Sequence, residues 1–78
     1  MNNLMKVYKE VSIDVNELGK RIKIAREADH RPLTTICDLI DMSRKNWYDI
    51  ENESQSLPLE TLRKIETVLG VDFEVNLD

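Results

Sequence analysis

Apolar positions change period twice along the chain. Val11, Ile13 and Val15 alternate with Ser12 and Asp14, the period of two expected of a half-buried strand over 5–15. From Leu18 the spacing lengthens to that of a helix, with Leu18, Ile22 and Ala25 on one stripe. Asn16 stands where a cap belongs, Lys20, Arg21, Lys23 and Glu27 fill the outer face, and His30, Arg31 and Pro32 break the pattern. A second helix over 33–40 turns Ile36, Cys37 and Ile40 inward. Asp41 ends it and Met42 plugs the corner. Ser43, a strong cap residue, opens a third helix through about Asn52. Residues 53–57 read as a loop, and Pro58 sits where a first helical turn tolerates a missing N–H.

Leu59, Leu62, Ile65, Val68 and Leu69 form the stripe of a last helix, with Gly70 just past its end. Beyond it Val71, Phe73, Val75 and Leu77 alternate with acidic and polar residues, a second strand signature over 71–78. A lone strand leaves its backbone groups unsatisfied, and no other strand candidate is visible. The two ends are therefore expected to pair as an antiparallel two-stranded β-ribbon. The expected class is mainly α: four helices with a small ribbon made by the N- and C-terminal segments.

Seventy-eight residues hold a single domain, 1–78, with room for one modest core and none for a deep substrate cavity. A composition 41% hydrophobic and 33% charged fits a compact helical domain rather than disorder. Cys37 has no partner for a disulfide, no secretion-signal run opens the chain, and no stretch approaches a membrane span. A soluble, cytoplasmic protein is expected, with no membrane partner.

Net charge of −4 argues at first against a polyanionic partner. Its distribution reverses the argument. Residues 19–48 carry seven basic side chains against four acidic ones, whereas 49–78 carry two against eight. One part of the surface is cationic, and the acidity gathers near the C-terminus.

Two short helices joined by a tight turn at Asp41 and Met42 match the helix-turn-helix unit, whose second helix enters the major groove of DNA. The chain over 16–71 resembles the lambda-repressor-like, Cro or XRE-type helix-turn-helix family. The resemblance lies in Leu18, Arg21, Ile22 and Arg26, in Ile36, Cys37, Ile40 and Met42, in Ser43-Arg44 and Ile50-Glu51-Asn52, and in Leu59-Glu60-Thr61-Leu62 with Leu69-Gly70-Val71. There are departures. Leu33 replaces the usual Gln, which removes one phosphate contact. Asp41 replaces a Gly in the turn, where Asp is among the few side chains that tolerate positive φ. Trp47 stands where Ile or Val is usual, so the core must widen to receive an indole, and strand alternation replaces a fifth helix.

Helical geometry picks out the reading face without the family. With Arg44 at zero and about 100° per residue, Trp47 and Ile50 point near 270°, toward the core. Lys45, Tyr48, Asp49 and Arg44 cluster around the opposite direction, with Asn46 on the border. Arg or Lys donates to guanine, Asp accepts from cytosine N4, and Tyr packs on a thymine methyl or reaches a phosphate. The expected base readers are Arg44, Lys45, Tyr48 and Asp49, and the resemblance implies Arg44, Lys45 and Asp49 as well. Expected phosphate contacts are Ser43, Thr34, Thr35 and Asn52. The resemblance also implies an ion pair between Arg26 and Glu51. Trp47 and Cys37 read as core, and His30 as an inert loop residue.

The expected function is sequence-specific binding of double-stranded DNA by a transcriptional regulator, as a homodimer on two half-sites. The dimer contact is open between the ribbon's free edge and the last helix. An antitoxin repressing its own operon is a close variant. A protein-interaction module that keeps the fold and has lost DNA binding is the rival. No Ser/His/Asp set, metal cluster or phosphate-cradling glycine loop points to an enzyme, a cofactor or a small-molecule substrate.

Overall fold

The computed structural model describes residues 4–77, with the elements β1 (Leu4–Tyr8), β2 (Ser12–Asn16), α1 (Leu18–Ala28), α2 (Leu33–Leu39), α3 (Arg44–Glu51), β3 (Leu57–Pro58) and α4 (Leu59–Leu69). Four helices account for half of the described residues, and they share one core with a three-stranded mixed sheet. No helix among the described residues is long and apolar enough to cross a membrane.

This architecture corrects the expected ribbon. Among the described residues the N- and C-terminal segments do not pair with each other. β1 folds back on β2 as an antiparallel hairpin, with Val7 opposite Ile13 and Met5 opposite Val15. Its other edge takes β3 in parallel, Val7 opposite Leu57, so the sheet order is β2-β1-β3. The stretch read as one strand over 5–15 is thus two strands and a turn. Its buried member is β1, through Met5 and Val7, while β2 lies at the rim. The loop expected over 53–57 already contains the first residue of β3.

Residues 71–77 make no strand, and Asp78 lies outside the described residues. Their alternation is nonetheless real, because Phe73 and Val75 are buried between exposed Asp72, Glu74 and Asn76. What replaces strand pairing is capture by side chains. Arg21 donates to the Phe73 carbonyl at 2.7 Å, Arg63 donates to the Val75 carbonyl at 2.6 Å, and the Phe73 N–H donates to Glu66 at 2.9 Å. These bonds satisfy part of the segment's backbone while its apolar side chains seal the core.

The helices start and stop for identifiable reasons. Asn16 is not the cap of α1; that position belongs to Glu17, in the left-handed region at φ 52°, with no side-chain capping bond of its own. The free N–H of Gly19 is taken instead by Glu53 Oε2 at 3.0 Å, from far along the chain. Pro32 and Pro58 precede α2 and α4 in extended conformation, so Pro58 is the cap of α4 rather than its first residue. Between α2 and α3, Asp41 adopts φ 53°, the conformation the departure from glycine called for. Ser43 Oγ accepts the Asn46 N–H at 3.0 Å and caps α3. Gly70 closes α4 at φ 67°.

Candidate nucleic-acid interface

α3 is built with two faces. Trp47 and Ile50 are 0% and 1% exposed, and between them they fix the helix against the core. Leu33, the departure at the head of α2, packs against the same core. Glu51, on the last turn of α3, is buried as well and carries the helix's main polar anchor. Its carboxylate accepts from Arg26 Nε and Nη, each at 2.9 Å, and from Trp47 Nε1 at 2.5 Å. The expected Arg26 and Glu51 pair is therefore present, with the indole as a third donor. Hydrogen bonding to Glu51 raises the Arg26 pKa against the opposing cost of burial.

Anchoring by this cluster leaves Ser43, Arg44, Lys45 and Tyr48 exposed along one helix, with Asp49 partly so. Lys45 Nζ and Asp49 Oδ2 are 2.8 Å apart, one helical turn from each other, which raises the Lys45 pKa chiefly through that hydrogen bond. The two residues read separately from the sequence are thus one bonded unit. Tyr48, 46% exposed, lies under the Arg26 guanidinium at 5.9 Å, so the buried cluster also steadies an outward ring.

Thr34 and Thr35 are exposed on the first turn of α2, the helix joined to α3 by the Asp41 turn, and Asn52 is exposed as the C-cap of α3. The helix of Ser43 brings five of the eight expected contacts together, and the two threonines stand on its neighbour. Asn52 lies just past the other end.

The sequence reading missed part of this surface. After Asn52 the chain turns back along α3, held by Ser54, whose N–H and Oγ both donate to the Asp49 carbonyl at 3.0 Å. That return sets Gln55 against Asn46, Nε2 to Oδ1 at 2.6 Å. An amide pair of this type is suited to adenine, which Asn and Gln read bidentately. A polar Ser54-Gln55-Ser56 run two residues past the helix was its trace in the sequence.

Cys37 is buried, and desolvation pushes its thiol pKa up, the state of an unreactive core cysteine. A groove of about 1020 Å³ lies elsewhere, between α2, α4 and the hairpin turn, lined by Lys9, Arg31, Leu39, Leu59, Arg63 and Val68 among others.

No protein-family model, curated protein or solved structure matches this chain.

Proposed function

We propose that this chain is a sequence-specific binder of double-stranded DNA that regulates transcription, a lambda-repressor-like helix-turn-helix domain with α3 seated in the major groove. One observation carries the reading. A capped, eight-residue helix, set off from α2 by a tight turn, is pinned by Trp47, Ile50 and Glu51 so that Arg44, Lys45 and Tyr48 face outward together. In such a geometry the residues after a cap can reach base edges, and the exposed Ser43, Thr34, Thr35 and Asn52 are assigned in this reading to the flanking phosphates. In this reading the protein works in the cytoplasm, without cofactor or catalysis, and as a homodimer, because one short helix offers few contacts.

Selection of bound fragments from random duplexes, followed by titration of the selected site at several salt concentrations, tests the proposal. The expected result is affinity that falls linearly in log–log form with salt, by about 0.9 in slope for each phosphate neutralised. Arg44→Ala or Lys45→Ala should cost about 1–3 kcal/mol on the selected site and relax base preference at one position. No enrichment of any sequence, or binding indifferent to salt and to both substitutions, refutes it.

The groove favours a second reading, that of a protein-interaction module. Leu39, Leu59 and Val68 give it apolar walls, and its rim mixes Lys9, Arg31, Arg63 and Lys64 with Asp41 and Glu60. That reading predicts that Arg44 and Lys45 can be replaced without loss of function.

A further inference from the structure

We infer that the open edge of β2 is the homodimer interface, an antiparallel pairing of β2 with β2 of a second copy about a two-fold axis through Ile13. The inference deepens the proposed function and rests on its dimeric reading for its effect on DNA; the pairing itself stands on the strand.

In the order β2-β1-β3, β2 has a neighbour on one side only among the described residues. The Lys9 N–H donates to the Val11 carbonyl at 2.9 Å, continuing the register that sets Tyr8 opposite Ser12 and Val7 opposite Ile13. Antiparallel pairs alternate between bonded and non-bonded, so the backbone groups of Ile13 and Val15 turn toward β1. Those of Ser12, Asp14 and Asn16 turn to the open edge. The strand carries neither Lys nor Pro, the residues that commonly blunt such an edge.

Side chains supply the second half of the argument. Ile13 and Val15 stand opposite Val7 and Met5, on the sheet face that meets the core. Yet Val7 is fully buried while Ile13 is 37% exposed and Val11 65%. The apolar face of the sheet therefore runs on past the cover of the helices, beside an unpaired edge.

A second copy fits this strip in one register. With the axis at Ile13, Ile13 faces its own counterpart, Val11 faces Val15, and Ser12 faces Asp14. Apolar residues meet apolar ones, a hydroxyl meets a carboxylate, and no like charges oppose. Shifting the axis to Asp14 sets two carboxylates directly across from each other, which is unfavourable. The chosen axis also makes Ile13 a non-bonded pair, the closer of the two types, and leaves the outward donors of Ser12 and Asp14 to bond across the dimer. Two three-stranded sheets become one continuous sheet.

The test uses the full chain carrying Ile13→Cys under mild oxidation. Residues facing each other at a non-bonded position lie about 4.5 Å apart between Cα atoms, within reach of a disulfide. A cross-linked dimer is expected from Ile13→Cys and not from Ser12→Cys or Asn16→Cys; the native Cys37 is buried and does not compete. In sedimentation equilibrium Ile13→Lys, which sets two ammonium groups face to face, should weaken the dimer at least about tenfold with its circular dichroism unchanged. A monomer at every concentration overturns the inference, as does cross-linking through Ser12→Cys or Asn16→Cys alone, or a dimer that Ile13→Lys does not weaken. If cross-linking through Ile13→Cys succeeds and selected duplexes do not bind, the DNA reading fails and the pairing stands.

Discussion

The indole Nε1–H of Trp47 donates to Oε2 of Glu51 at 2.5 Å, the same oxygen that accepts from Arg26 Nε at 2.9 Å. One buried carboxylate thereby joins α1 to both turns of α3. Replacement of Glu51 by Gln keeps the volume but offers one acceptor and two donors to a site built from three donors. The side-chain nitrogen would face the Arg26 guanidinium, leaving a buried group unsatisfied. Arg26 keeps some contact with water, so the loss should fall at the lower end of the range for broken buried pairs, about 3 kcal/mol. Urea unfolding followed by Trp47 fluorescence measures it. An unchanged midpoint would mean that the carboxylate is incidental to stability.

A close approach of backbones sits beside this anchor. A Cβ built on Gly19 would lie 2.6 Å from Glu53 Cγ and 2.9 Å from the Ile50 carbonyl oxygen, distances real side chains do not adopt. Gly19→Ala must therefore push α1 off the end of α3 or displace Glu53, breaking its bond to the Gly19 N–H. Destabilisation of about 1–3 kcal/mol is expected from this overpacking, despite the better helix propensity of Ala. Glu53→Gln, which can still accept that N–H, should cost less than half as much in the same denaturation experiment. Equal effects would show that the capping bond, not the backbone contact, is what the site requires.

Both anchors help explain what the sequence could and could not tell. The helices were legible because their signals are local: Ser43 caps through its own hydroxyl, Asp41 tolerates its positive φ, and Gly70 ends α4. The outward face of α3 followed from angle alone, since Trp47 and Ile50 define the inward one. Partner choice was not local. Alternation at 71–77 located Phe73 and Val75 in the core correctly, yet periodicity cannot distinguish a strand partner from the guanidinium of Arg21 or Arg63. The hairpin was hidden because its turn, Lys9-Glu10-Val11, contains no glycine, asparagine or proline. β3, two residues long, is too short to show any period. In the candidate site the contact between Gln55 and Asn46 depends on a loop doubling back, which no helical count reveals.

Pairing of Lys45 with Asp49 at 2.8 Å bears on how the chain would meet a polyanion. While the pair is closed, the carboxylate competes with phosphate for the ammonium group and adds its own repulsion. Both side chains have access to water, so the pair contributes little to stability, and Asp49→Asn should leave the unfolding midpoint nearly unchanged. Affinity for an unselected duplex should instead rise, with the salt dependence steepening by up to about 0.9 as Lys45 becomes free for a phosphate. On the selected site the same substitution should lower the discrimination between sequences if Asp49 reads a cytosine. Fluorescence anisotropy at several salt concentrations separates these outcomes. Weaker binding to every duplex would show that Asp49 orients Lys45 rather than restraining it.

Acid should expose a different part of the fold. Asp29, just past the end of α1, accepts from the Arg31 side chain at 2.9 and 2.7 Å and from the Arg31 backbone N–H at 2.9 Å. The Arg31 side-chain bonds, with the backbone bond second, hold its carboxyl pKa well below the ordinary carboxylate range. Arg31 in turn donates to the Val68 carbonyl at 2.5 Å, so the pair ties the turn after α1 to α4. A carboxyl with a depressed folded-state pKa binds its proton more readily in the unfolded chain. Its stabilising effect is thus complete above the unfolded value, near 4, and is lost as pH falls through the folded one. Asp29→Asn removes that dependence. The difference in stability between the native chain and the variant should be constant from about pH 5 to neutrality and shrink steadily below about pH 4. Thermal unfolding across that range gives the measurement. A difference that stays level down to the acid limit would place the stabilising contact outside the ionised form of Asp29.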